Sequence, residues 1–158
     1  RKDTELLHNE TIKPALKLLW TTGFEGAEQE FLDAFERHRK GENKDAILDA
    51  LKAFESVMKS ICDGMGYTYD PTKNTAKDLI VILENNSFYP TYLNNHITSV
   101  RTSLESGLPT MRNKNAGHGQ GTMVVSVSDE FTEYALNLAA TNIVLLTKIY
   151  AAKKAGGN

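Results

Sequence analysis

At 158 residues and 41% apolar, the chain can bury one hydrophobic core and is too short for two domains of ordinary size. A formal net charge of −2 excludes a global field that would draw in nucleic acid, so any phosphate binding has to come from a local patch. The one cysteine, Cys62, rules out an intramolecular disulfide, and with no signal peptide or long apolar span legible, a cytoplasmic protein away from membranes is expected.

The opening Arg1-Lys2-Asp3, without an initiating methionine, reads as the interior of a longer protein. Residues 1–25 read as an N-terminal extension or linker with a short helix, opened by Pro14 and carrying Leu16, Leu19 and Trp20. Glu5 and His8 have the Glu-x-x-His spacing of di-iron bundles, but no second copy follows, so no metal site is expected.

Residues 26–152 read as one helical domain and 153–158 as a disordered tail. Ala27, Phe31, Ala34, Phe35 and His38 mark a first amphipathic helix, with His38 at its rim and Glu36 to Lys40 as its solvated end. After the turn at Lys40 to Asn43, a longer helix from Lys44 to Asp63 is predicted, capped by Asn43. It buries Ala46, Ile47, Ala50, Leu51, Phe54, Val57, Met58, Ile61 and Cys62, and the two helices form an antiparallel hairpin. Cys62 reads as a core thiol, since no basic residue is positioned to lower its pKa.

Thr75 and Asp78 form a capping box for a helix with Leu79, Ile80 and Leu83 inward, ended by Asn85-Asn86-Ser87. Pro90 starts another, with Leu93, Ile97, Val100 and Leu104 inward, interrupted by Gly107 and Pro109. Thr122 to Val127 is β-branched but has no second strand to pair with, and is expected to be a packed loop. Ser128 caps a last, central helix from Asp129 to Ala151, with Phe131, Ala135, Leu138, Leu145 and Ile149 as its inner stripe. The expected fold class is therefore all-α: an antiparallel helical bundle with a short irregular segment before the last helix.

Chemistry is concentrated in Arg112-Asn113-Lys114-Asn115-Ala116-Gly117-His118-Gly119, where a helix yields to a glycine-rich loop. The guanidinium of Arg112 is a planar fork suited to phosphate, and His118 can exchange a proton near neutral pH. Arg101, Arg112 and Lys114 against Glu105 leave a local excess of positive charge between His96 and His118. Side chains six positions apart on a straight helix diverge by about 120°, so Arg112 and His118 converge only if the helix ends or bends first, which Gly117 allows. The plainer reading of the same residues is a helix stop with glycine in the left-handed conformation. Gly117, Gly119 and Gly121 do not form a nucleotide-binding loop, because no buried strand precedes them and no Gly-Lys-Ser/Thr follows.

The helices, the start at Asp45-Ala46-Ile47, the stretch Ala53-Phe54-Glu55-Ser56-Val57-Met58-Lys59 and the Arg-Asn…His-Gly motif together resemble the HEPN superfamily, in its abortive-infection C-terminal branch, over roughly residues 26–150. The resemblance implies a HEPN-like bundle and a metal-independent, cofactor-free endoribonuclease, a toxin of bacterial antiphage or toxin–antitoxin systems. It implies catalytic roles for Arg112, Asn113 and His118; by their charge, Lys114 and Arg101 are weaker candidates for contacts to the RNA backbone. It further implies a homodimer with the motifs facing one cleft, and an antitoxin or an N-terminal sensor domain as partners. Asp49 and Glu55 on the long helix are possible partners for Arg112. Because some members of the family have lost catalysis, the alternative is a helical module that binds RNA, a nucleotide or a protein through the same surface.

Overall fold

The computed structural model describes residues 12–106 and 126–156, and six α-helices account for most of them. These are α1 (Lys13–Thr22), α2 (Glu25–Arg39), α3 (Asn43–Met65), α4 (Ala76–Asn85), α5 (Asn94–Ser106) and α6 (Asp129–Ala155), with a 3-10 turn, Thr91–Leu93, leading into α5. No strand occurs among the described residues, in agreement with the all-α expectation; the expected packed loop lies outside them except for Ser126 and Val127, which are irregular.

Local signals explain most helix ends. Gly23 and Gly66 follow α1 and α3 in the left-handed conformation, at φ +84° and +75°. In each case the next residue's N–H reaches back to satisfy a terminal carbonyl, Phe24 N to Leu19 O at 3.0 Å and Tyr67 N to Cys62 O at 2.9 Å. The Asp78 carboxylate accepts from Thr75 N at 2.9 Å and from Thr75 Oγ1 at 3.2 Å, and these bonds hold its carboxyl below the usual range. Ser128 Oγ accepts from Phe131 N, with Asp129 and Glu130 in the first turn of α6.

Helices α2 and α3 make the most extensive contact in the bundle. Arg37 Nε donates to Asp49 at 2.9 Å near the turn, and Ser56 donates to Glu30 at the far end, so the pair is antiparallel as expected. The apolar stripe of α3 is buried throughout, Cys62 included. Burial pushes the Cys62 thiol up to about 11, consistent with a core role.

One cap differs from expectation. Glu42, not Asn43, stands at the N-cap of α3, and the Asn43 amide instead donates to Val127 O at 3.0 Å and to Asp129 Oδ1 at 2.7 Å. An asparagine offers donors as well as an acceptor, and here the donors tie α3 to the start of α6.

Helix α6 runs parallel to α3: Asn43 meets Asp129 at one end, Gly64 meets Tyr150 at the other, and the same number of residues separates the contact points on both helices. Its buried face is Thr132, Ala135, Leu136, Ala139, Ala140, Asn142, Ile143, Leu146 and Thr147. Of the expected stripe only Ala135 belongs to it; Phe131, Leu138, Leu145 and Ile149 are half-buried, one position out of phase. The middle of α6 is apolar on most sides, so periodicity could not select a face, and close packing selected the one rich in alanine and threonine. The helix also continues past Ala151 to Ala155, making Lys153 and Lys154 helical where a tail was expected, and Lys154 Nζ donates to Gly64 O at 3.0 Å. By length and composition α6 could cross a membrane, against the expectation that no long apolar span is present. In this fold its apolarity serves contacts with α1, α2, α3 and α5.

The Gly64 crossing is tight: a Cβ there would lie 2.1 Å from Tyr150 Oη, and the Tyr150 ring is packed 5.1 Å from that of Phe24. Overpacking costs about 1–3 kcal/mol, more than the roughly 1 kcal/mol an alanine gains over glycine in a helix. Gly64→Ala should therefore lower the urea midpoint in wild type, yet raise it in a Tyr150→Ala background; the same sign in both backgrounds would show that the crossing is not what requires glycine.

Candidate active site

Arg112, Asn113, Lys114 and His118 lie outside the described residues, so the site is approached from the chain on either side. The chain leaves the described bundle at the end of α5, whose last turn is held by the buried Leu104, and returns before α6. The return is pinned by Asn43 through Val127 and Asp129, and by the Ser128 cap. The nearest helical residues on either side, Ser106 and Asp129, thus belong to helices seated in the core.

Arg101, the remaining candidate site residue, is on α5 and is committed within its own helix. Its Nη1 donates to both carboxylate oxygens of Glu105, at 3.0 and 2.9 Å, and its side chain is only 18% exposed. A phosphate would have to compete with that carboxylate. The two acids considered as partners for Arg112 are engaged as well. Asp49 accepts from Arg37 and lies 4.0 Å from Lys52, while Glu55 pairs with Lys59 at 3.1 Å. Lys59 in turn donates to Pro71 O at 3.1 Å. The two arginines of the run Glu36 to Lys40 are also paired with acids: Arg37 faces Glu42, Asp45 and Asp49, and Arg39 faces Glu36.

Two histidines are held by α6. The His38 side chain is mostly buried rather than at a rim, with Nε2 3.8 Å from Glu133 and Nδ1 without a hydrogen-bond partner among the described residues. His96 Nε2 lies 2.8 Å from Asn142 Oδ1, and the Asn142 amide donates to Leu138 O at 2.8 Å. That second bond fixes which way the amide points, so neutral His96 donates through Nε2 and keeps Nδ1 as an acceptor. The pairing was missed in the sequence, where its signal is a lone asparagine in the apolar run of α6. Also missed was the outward position of Trp20, which is 64% exposed. Among the described residues no cluster of three metal-ligating side chains occurs.

A family model described as Abi_C, HEPN-like domain, matches residues 25–150. The chain belongs to this HEPN-like family. No curated protein and no solved structure gives a match. The match takes in α2 to α5, most of α6 and the whole Arg112–His118 motif, while α1 precedes it.

At the α2–α3 interface of this HEPN-like domain, burial pushes the Glu30 carboxyl above its ordinary value near 4.5, against the lowering effects of the Ser56 hydrogen bond and of Lys52. The folded state therefore holds this proton more tightly than the unfolded chain, and its contribution to stability falls as pH rises from that value through the raised one. Glu30→Gln should abolish this fall, so its urea midpoint should gain more over wild type at about pH 7 than at about pH 4. A gain independent of pH would mean that carboxylate burial is not its source.

Proposed function

We propose that this domain is a metal-independent endoribonuclease, acting in the cytoplasm as the toxin of a bacterial antiphage abortive-infection or toxin–antitoxin system. The observation that carries the reading is Arg112-Asn113 followed by His118-Gly119, lying inside the residues that match the HEPN-like family. RNA supplies its own nucleophile, so the protein has to align groups, move protons and neutralise charge. His118 takes the proton of the ribose 2′-hydroxyl, the 2′-oxygen bonds to phosphorus, and the 5′-oxygen leaves and is protonated. The product carries a 2′,3′-cyclic phosphate. Arg112 holds the non-bridging oxygens as charge builds on them, and Asn113 donates to a phosphate or fixes the guanidinium. Lys114 adds a backbone contact, whereas Arg101 can do so only by releasing Glu105. One Arg–His pair is sparse for this work, and a homodimer that faces two copies across one cleft supplies the rest. An antitoxin or an N-terminal sensor domain would restrain the activity.

His118→Ala and Arg112→Ala should each lower cleavage of RNA by at least about a hundredfold, the lower range for losing a positioned acid–base group or a charge-stabilising donor. Both variants should fold like wild type by circular dichroism. Cleavage should persist in chelator, leave cyclic or 3′-phosphate ends and spare DNA. Full activity of folded His118→Ala, or equal cutting of DNA, would overturn the mechanism; intact protein that binds RNA without cutting it would favour the non-catalytic module.

A further inference from the structure

Helix α1 has one face turned away from the bundle. Ile12, Ala15 and Leu19 are fully buried, while Lys13, Lys17 and Trp20 are exposed. Their spacing of four and then three residues places all three within about 60° of arc on one side of the helix. Neither lysine has an ion-pair partner among the described residues, and no acidic residue occurs from Lys13 to Phe24. Asp3, Glu5 and Glu10 precede this stretch, outside the described residues, and the next carboxylate after it is Glu25, beyond the left-handed turn at Gly23. In a chain of net charge −2, residues 12–24 carry two lysines and no acidic residue, beside an exposed indole.

Lysines and an exposed aromatic ring at this spacing make the combination that tracks a single nucleic-acid strand, with cations on the phosphates and a ring on which a base stacks. From Lys13 to Trp20 the helix rises about 10 Å, the length of about three nucleotides of a stacked strand. A duplex would not suit it, because paired bases keep their faces stacked inside and leave nothing for the indole to cover.

We infer that the Lys13–Lys17–Trp20 face of α1 is a binding track for single-stranded RNA, with Trp20 stacking on an unpaired base and the lysines contacting the adjacent phosphates. The track deepens the ribonuclease reading and rests on it for the identity of the polyanion. It assigns substrate binding to a helix outside both the motif and the family match.

Trp20 is the chain's one tryptophan, so intrinsic fluorescence reports this face directly. Full-length His118→Ala protein, which leaves RNA intact, is titrated with a short oligouridylate and with a duplex RNA of equal length. Oligouridylate should quench Trp20 and the duplex should not. Lys13→Gln combined with Lys17→Gln should reduce the slope of log affinity against log salt by about 1.4, at about 0.7 for each phosphate no longer neutralised. Trp20→Ala, followed by anisotropy of labelled RNA, should bind about five- to a hundredfold more weakly. All these side chains are exposed, and thermal melts like that of wild type would confirm that the fold is kept. In the His118-intact background the same variants should raise KM with little change in kcat. Unquenched Trp20 together with unchanged KM in the variants would overturn the track while leaving the ribonuclease reading standing. Quenching without any cleavage by wild type would do the reverse.

Discussion

The parallel contact between α3 and α6 is the constraint on which the rest of the bundle depends. Both helices bury small residues, Ala46, Ala50 and Ala53 on α3 and Ala135, Ala139 and Ala140 on α6, so their backbones can approach closely along their length. The contact is fixed at one end by the Asn43 amide and at the other by the missing Cβ of Gly64, across which Tyr150 lies. Alanine and glycine contribute little apolar area, so contacts between such residues gain more from close dispersion contact than from area removed from water. The larger side chains, Phe31, Phe54, Met58, Leu79 and Leu104, are fully buried in the same cluster. Because α6 cannot slide on α3 without breaking the fit at one end, the place where the chain returns after the Arg112–His118 motif is set by the core.

Polar groups in α6 add specificity to that packing. An asparagine buried without partners costs about 1–3 kcal/mol, and Asn142 avoids this through Leu138 O on its own helix and His96 on α5. The bond to His96 therefore favours one register of α5 against α6, where an apolar contact would tolerate several. Since α5 ends at Ser106, a surface histidine with no evident chemistry of its own helps decide where the chain leaves the described bundle. Thr132 is satisfied locally, by donating to Ser128 O at 2.8 Å, and so carries no such long-range information.

What the sequence disclosed follows from the range of each signal. Periodicity and caps act within a turn or two, and the stripe of α3, the Thr75–Asp78 box and the Ser128 cap were legible for that reason. The buried face of α6 was not, because a helix apolar all round has no moment to read and its orientation depends on where alanines permit approach. Asn43 and Asn142 were illegible in a related way. Each has its deciding partner far along the chain, on α6 and α5 respectively, so local rules assign the first to a cap and are silent on the second. Of the candidate site only Arg101 falls among the described residues, and its pairing with Glu105 was available as an i,i+4 spacing on a helix. The family match, by contrast, rests on residues recognisable without any knowledge of their contacts.

Charge in this domain has to be judged by commitment rather than by count. The densest basic run, Arg37 to Lys40, faces Glu36, Glu42, Asp45 and Asp49, and Arg101 and Lys59 each have a carboxylate one turn away. Exposed pairs of this kind contribute about 0–1 kcal/mol to stability, but they still cancel the field a phosphate would sense. A polyanion approaching these helices meets neutral surface where the sequence looks most basic. Two lysines on α1 that pair with no carboxylate among the described residues offer more, since the counterions they release from RNA favour association. The same reasoning applies to the motif: Arg112 and Lys114 are followed by no acidic residue until Asp129, so that stretch of chain carries positive charge with no carboxylate of its own to neutralise it.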